Sequence, residues 1–248
     1  MLADYRKNNN LPTIQVLIST KCTLAQYYSR VKGKRDDIFE ALNLLFDLTD
    51  SCPLCGGSHC AQFIEYYHRQ VIDEKGTYYK AFPIARFLCI RKGGKPIVDH
   101  RTFSLLPYQL VPYSKYSIPF IFKVLKSIHM EDKSIMEVQQ YLSNFQETGI
   151  YVDLSAPSIY GFKRLILEAI DKLLSSAYYC EAENILQQPY GYCRIEAFIP
   201  FAQEFCCYKV IPYIRGPCAL SYDFYMQGGG WFRNSYFLFG TPSQFRTV

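Results

Sequence analysis

The run Cys52-Pro53-Leu54-Cys55-Gly56-Gly57 constrains this chain more than any other stretch of its sequence. Its proline stiffens the entry to a tight turn, and its glycines let the backbone fold its amides back toward sulfur. Two thiolates then lie on one side of the loop. Zinc in proteins prefers four ligands of this kind in a tetrahedron, so the run predicts half of a zinc site.

The other half of the predicted site has to come from a second turn. Cys89 and His100 flank a Gly-Gly pair at residues 93–94 that supplies such a turn. The preferred ligand set is Cys52, Cys55, Cys89 and His100. Alternatives for the fourth ligand are Cys60, His59 and His68. A closed set of four ligands leaves no position for water, so the predicted zinc is structural and the segment 51–112 is interpreted as a zinc ribbon.

Composition narrows the class of protein. The chain has 248 residues, of which 49% are apolar, so it can bury a core. Its net charge of +5 suits a nucleic-acid partner. No apolar run approaches the roughly 18 residues that span a bilayer, and the N-terminus lacks the apolar region of a signal peptide. We therefore expect a cytoplasmic protein without a membrane partner, whose 10 cysteines include metal ligands rather than disulfides.

The pattern divides the chain into four predicted regions. They are an N-terminal helical segment (1–50), the zinc ribbon (51–112), a helix-turn-helix-like bundle (113–176) and an aromatic-rich C-terminal region (177–248). The first region holds a strand-like run at 14–18, a basic loop at 30–35 and a helix at 36–48. Within the ribbon, the Asp73-Glu74-Lys75-Gly76 turn is expected to join two strands, the second of which leads to Cys89.

The bundle region shows helical periodicity three times. A first helix follows Ser117, with its apolar face ending near Ile128. Ser134 and Glu137 have the spacing of a capping box at the start of a second helix. A third helix is predicted from Ser158 to about Leu174, after a link longer than the usual 3–4-residue turn of a helix-turn-helix.

The N-terminal end of the third helix is the candidate DNA-reading surface. Its polar residues are expected largely off the apolar face, where arginine can pair with guanine and lysine or serine can contact phosphate. The candidate DNA-binding residues are Ser158, Tyr160, Lys163 and Arg164, with Arg101 and Lys115 extending the positive surface toward the ribbon. Gly161 would permit close approach. The alternative is a solvated helix face that carries charges and has no partner.

Catalysis has little support in the sequence. The chain contains no phosphate-binding loop, nucleophile elbow or zinc-protease motif. Asp153, Asp171, Glu196 and Asp223 have no catalytic motif around them. We predict no catalytic residues and treat enzymatic activity as undecided, with a binding protein favoured.

Several of these motifs together resemble a family of bacterial proteins. They are the CPLCGG run, the strand ending in Arg86-Phe87-Leu88-Cys89, the exit from His100 to Pro107, and the helices that follow. Proteins of that family carry a transposase-like zinc ribbon followed by a helix-turn-helix and are often found with mobile elements. Many such ribbons have a second CxxC pair where this chain has Asp99-His100, with Cys89 upstream.

The resemblance implies an α+β fold and a DNA-binding protein related to insertion-sequence transposases. Cys52 and Cys55 match the first pair of zinc ligands of the family. The prediction is a sequence-directed DNA-binding protein, with RNA as a further possible partner. Two alternatives stay open: a compact or truncated transposase, and a protein-interaction module in which zinc only holds the fold together.

Overall fold

The protein mixes helices and strands, which confirms the α+β expectation. Its structure, a computed structural model, describes residues 14–18, 22–32, 52, 61–90, 102–107, 109–111, 114–143, 154–174, 187–189, 191–204 and 220–221. In chain order its elements are β1 (Ile14–Ile18), α1 (Leu24–Val31), β2 (Ala61–Ile72), β3 (Tyr78–Cys89), β4 (Thr102–Pro107), α2 (Ile118–His129), α3 (Ile135–Ser143), α4 (Ala156–Leu174), α5 (Tyr192–Glu204) and β5 (Leu220–Ser221).

The strands form one five-stranded sheet in the order β2-β3-β4-β1-β5. The strands β2, β3 and β4 are antiparallel neighbours, whereas β1 pairs in parallel with both β4 and β5. The predicted strand at 14–18 is therefore confirmed as β1. Its parallel pairing with β4 joins segments far apart in the sequence, which local patterns do not reveal.

The turn between β2 and β3 is the one that the sequence predicted. Asp73 Oδ1 accepts hydrogen bonds from the backbone N–H groups of Lys75 (2.9 Å) and Thr77 (2.8 Å). The other carboxylate oxygen, Oδ2, accepts one from the hydroxyl of Tyr79 at 3.1 Å. Gly76 has a positive φ of 85°, a conformation that suits glycine. One buried carboxylate thus organises the whole turn.

The predicted starts of α2 and α3 are confirmed by their caps. Ser117 Oγ accepts a hydrogen bond from the N–H of Phe120 at the start of α2. At α3, Ser134 Oγ accepts from the N–H of Glu137 (3.2 Å), and Glu137 Oε2 accepts from the N–H of Ser134 (2.6 Å). The third predicted helix, α4, begins at Ala156 instead of Ser158.

The predicted basic loop at 30–35 is wrong at its start. Arg30 and Val31 belong to α1, which begins at a Thr23–Gln26 capping box. Val31 is fully buried, so the helix extends far enough to place this side chain in the core. The predicted helix at 36–48 lies outside the described residues.

A single buried cluster runs through the described part of the chain. Tyr27 of α1 stacks on Phe82 of β3 with ring centroids 5.2 Å apart. Phe122 of α2 packs edge-on against Phe198 of α5 at 6.2 Å. Residues of the predicted N-terminal, ribbon and bundle regions all contribute to this cluster, while the boundaries between those regions stay predictions. Within the described residues, no helix is long and apolar enough to cross a bilayer.

Candidate functional site

One stripe of α4 faces solvent along its N-terminal half. Tyr160 is 55% exposed, Gly161 is exposed, and the side chain of Arg164 is 84% exposed. These three positions recur at the spacing that places residues on one face of a helix. Further along the same stripe, Glu168 and Asp171 are also exposed. We call Tyr160, Gly161 and Arg164 the α4 stripe.

Arg164 already has a partner one helical turn away. Its Nε donates to Glu168 Oε1 at 2.8 Å, and this hydrogen bond and charge raise the pKa of Arg164. Exposed pairs of this spacing contribute little to stability, because water screens the two charges. The guanidinium can therefore exchange Glu168 for another acceptor at little cost.

Lys163 does not lie off the apolar face as the sequence analysis expected. It is only 8% exposed, and burial lowers the pKa of its ammonium group. The reason lies in its spacing: Lys163 follows the buried Ile159 by four positions and precedes the buried Ile166 by three. Its Nζ lies 5.8 Å from the ring centroid of Tyr160, so its charge remains close to the α4 stripe.

The structure brings Lys115 to the N-terminal half of α4. The exposed Lys115 places its Nζ 5.1 Å from the ring centroid of Tyr116. That ring packs edge-on against Phe162, with centroids 4.9 Å apart. Ser158, half-buried, shares a 2.9 Å hydrogen bond between its hydroxyl and that of Ser155. Arg101, the remaining candidate, lies outside the described residues.

Ionisable side chains meet where α2, α4 and α5 converge, a site that sequence reasoning missed. His129 Nδ1 lies 3.9 Å from Glu196 Oε1. Burial and the neighbouring Lys163 lower the pKa of His129. Arg194, 9% exposed, places Nη1 3.0 Å from Asp171 Oδ1. Helical spacing could have predicted the burial of His129. This residue follows the apolar Phe122 by seven positions and therefore lies on the buried face of α2.

A polar row crosses the sheet and was also missed. Strand register makes neighbours of Glu65 and Arg86, of Arg86 and Ser104, and of Ser104 and Gln15. Arg86 Nη1 pairs with Glu65 at 3.1 Å. Further atoms of the row, Arg86 Nε, Ser104 Oγ and Gln15 Oε1, are buried with no hydrogen-bond partner in the described part of the chain. Native proteins keep few such atoms, because each costs about 1–3 kcal/mol.

Two of the preferred metal ligands can be located. Cys52 is buried, and Cys89, half-buried, is the last residue of β3. Register pairs Cys89 with Ala61, the first residue of β2. Cys89 therefore lies at the end of the hairpin where the chain enters after the Cys52–Gly57 run. Cys55, Cys60, His59 and His100 lie outside the described residues.

The same register separates His68 from Cys89. His68 pairs with Pro83 in the middle of the hairpin and is exposed. At about 3.3 Å per residue it lies about 23 Å along β2 from Ala61, too far to share an ion with Cys89. Among the residues described, no three or more His, Cys, Asp or Glu side chains form a metal-binding group; Cys55 and His100 are not among them.

Comparison with protein-family models, curated proteins and solved structures found no match to this chain.

Proposed function

We propose that this protein is a sequence-directed DNA-binding protein of the transposase-related type, with α4 as its recognition helix and a structural zinc in its ribbon. The observation that carries the proposal is the α4 stripe, in which Tyr160, Gly161 and Arg164 are exposed together. Recognition helices present their N-terminal residues to base edges and phosphates. The α4 stripe has this position and these residue types.

Arg164 is the residue proposed to read a base. Its guanidinium is a planar fork that can donate two hydrogen bonds to O6 and N7 of guanine. The weak, exposed pair with Glu168 leaves it free to make that exchange. Tyr160 and Lys115 are proposed to contact the backbone, because hydroxyl and ammonium groups donate to phosphate oxygens.

Gly161 supports a close approach of DNA to α4. A glycine inside a helix costs about 0.5–1 kcal/mol relative to alanine. Among the residues that the structure describes, a Cβ added at Gly161 would meet nothing within 4 Å, so packing against them does not explain the glycine. Its absence of a side chain instead clears space beside Tyr160 and Arg164.

The proposed zinc ribbon is supported by the hairpin register. Cys89 lies at the hairpin end that receives the Cys52–Gly57 run, and Cys52 is buried. In this proposal zinc joins that run to β3 through Cys52, Cys55, Cys89 and His100. The ion would hold the ribbon in shape and take no part in chemistry, because four protein ligands close its coordination sphere.

The test is DNA binding by the full chain, measured by fluorescence anisotropy with a labelled duplex at low salt. Arg164→Ala should weaken binding by about tenfold, since a good bidentate base contact contributes about 1–3 kcal/mol. Lys163→Met should weaken binding less than Arg164→Ala, because Lys163 is largely buried although its charge lies beside Tyr160. The matched control is Arg30→Ala, which removes an exposed arginine from α1.

If Arg164→Ala and Arg30→Ala weaken duplex binding equally, α4 is not the recognition helix. An absence of binding to any duplex would reject the DNA-binding proposal itself and favour the protein-interaction module.

A further inference from the structure

A second cationic surface lies on α2, α3 and the turn between them. Tyr141 of α3 is 43% exposed. Lys123 of α2 places its Nζ 6.0 Å from the ring centroid of Tyr141, and Lys133 places its Nζ 5.3 Å from the same centroid. Two ammonium groups therefore lie beside one exposed phenol ring.

Lys126 extends this surface along α2. It is exposed, follows Lys123 by three positions and so lies on the same side of the helix. Among the residues that the structure describes, Lys126 makes no ion pair within 4.0 Å. We call Lys123, Lys126, Lys133 and Tyr141 the lysine–tyrosine surface.

Two of the three carboxylates nearest in sequence to the lysine–tyrosine surface accept hydrogen bonds from neighbouring residues. Glu131 Oε2 accepts from Lys133 Nζ at 2.8 Å and from the hydroxyl of Ser127 at 3.2 Å. Glu137 Oε2 accepts from the N–H of Ser134, as part of the cap of α3. Asp132, at the turn between α2 and α3, is exposed. Lys133 is thus partly neutralised. The charge of Lys126 also acts on Glu131, but without an ion pair within 4.0 Å among the described residues, so its ammonium group can still pair with an added phosphate.

The C-terminal end of α2 lies close to the N-terminal half of α4. The helices α2 and α4 contact each other, and Lys163 of α4 lowers the pKa of His129, the last residue of α2. Lys163 in turn lies 5.8 Å from the ring of Tyr160 in the α4 stripe. A duplex lying on the α4 stripe would therefore extend toward α2.

From this arrangement we infer that the lysine–tyrosine surface binds the phosphate backbone of the DNA that α4 reads. The inference rests on the proposed function. Ammonium groups attract phosphates irrespective of sequence, and tyrosine hydroxyls donate to phosphate oxygens. In helix-turn-helix complexes a helix other than the recognition helix crosses the backbone and fixes the protein's register on the duplex. On this account α2 and α3 position the protein while α4 selects the sequence.

The test is the salt dependence of duplex binding by the full chain, with a labelled random-sequence 20-base-pair duplex. Each lysine that neutralises a phosphate contributes about 0.9 to the slope of log affinity against log salt. The double variant Lys123→Ala/Lys126→Ala should lower the slope by about 1.8 and weaken binding on the order of tenfold or more at 0.1 M salt. Lys126→Arg, which keeps the charge, should retain the wild-type slope.

Lys32→Ala is the matched control. Its Nζ lies 5.3 Å from the ring centroid of Tyr28, so the control removes an exposed lysine beside a tyrosine at the C-terminal cap of α1. It should leave the slope unchanged. Circular dichroism melts should show that every variant stays folded, because none of these lysine side chains is buried and alanine suits the helical positions 123 and 126.

The outcomes separate this inference from the proposed function. An unchanged slope in the double variant, together with weaker binding by Arg164→Ala, would overturn the backbone surface and leave α4 as the reader. No binding by the wild type would overturn both. Binding of an acidic peptide that is lost in the double variant, with DNA binding unchanged, would assign the surface to a protein partner and overturn the inference.

Discussion

The ring of Tyr116 packs edge-on against the ring of Phe162, with 4.9 Å between their centroids. Tyr116 precedes α2 and also bridges to Ile72 at the end of β2, whereas Phe162 belongs to α4. This contact connects the hairpin, the start of α2 and the N-terminal half of α4. It is the reason that Lys115, adjacent in sequence to Tyr116, lies beside a ring that packs on α4.

Asp73 should be essential for the turn between β2 and β3. It is 1% exposed and accepts hydrogen bonds from Lys75, Thr77 and Tyr79. Asp73→Ala leaves these donors without their acceptor and should lower the free energy of unfolding by about 3 kcal/mol, measured by urea denaturation. Glu74→Ala, in the same turn, should change it by less than about 0.5 kcal/mol. Equal losses would contradict this role.

His129 should make the stability depend on pH. Burial and Lys163 hold its pKa below the ordinary value of 6.5, so the unfolded chain binds more protons than the folded protein as the pH falls toward and below that value. The contribution of His129 to stability is therefore retained above pH 6.5 and lost as the pH decreases. Urea denaturation at pH 7.5 and 5.5 should show a smaller difference for His129→Gln than for the wild type. If the free energy of unfolding changes equally with pH in the wild type and in His129→Gln, His129 is not the source of the pH dependence.

Gly161→Ala should separate stability from binding. Because a Cβ at this position meets nothing within 4 Å, the substitution should raise the free energy of unfolding by about 0.5–1 kcal/mol. If DNA approaches the backbone there, the same methyl group should weaken duplex binding. Thermal melts and anisotropy titrations measure the two effects. A more stable variant with full affinity would show that DNA does not come close to Gly161.

Ser104 and Ser117 should respond to alanine with opposite signs. Both are buried, but Ser104 Oγ has no partner among the described residues, whereas Ser117 Oγ caps α2 by accepting from Phe120. Ser104→Ala removes an unsatisfied hydroxyl and should raise the free energy of unfolding by about 1 kcal/mol. Ser117→Ala should lower it by about the same amount. Destabilisation by Ser104→Ala would show that its hydroxyl has a partner in solution.

The purified chain should contain about one zinc ion, as a closed four-ligand site requires. Cys52→Ser and Cys89→Ser should lower the zinc content measured by elemental analysis, and a chelator should lower the melting temperature of the wild type. Cys193→Ser is the control, because that thiol is exposed on α5. A well-folded wild type without zinc would reject the metal site.

Local signals in the sequence were enough to predict much of the fold. Ser117, Ser134 and Glu137 are short-range capping signals, and the Asp73–Gly76 turn is equally local. The parallel pairing of β1 with β4 could not be predicted this way, because it depends on contacts between distant segments. The start of α1 does carry a local signal, the Thr23–Gln26 capping box, which the sequence analysis did not use.

For the helix that carries the candidate site, the sequence predicted the exposure of some polar side chains correctly and that of one incorrectly. Tyr160 and Arg164 are exposed as expected, but Lys163 is buried because its spacing from Ile159 and Ile166 places it on the apolar side. The charge of Lys163 suggested that its side chain would be exposed, but the helical spacing determines which side of the helix it lies on. The proximity of Lys115 to α4 arises from the contact between Tyr116 and Phe162, which no short stretch of sequence encodes.

The most direct test of the central claim is selection of bound duplexes from a randomised pool, carried out in parallel with the wild type and Arg164→Ala. The account predicts that the wild type enriches a defined sequence, and that Arg164→Ala loses the preference for guanine at one position while retaining weaker binding. Failure of the wild type to retain any duplex at low salt, or retention without enrichment, would contradict sequence-directed DNA binding.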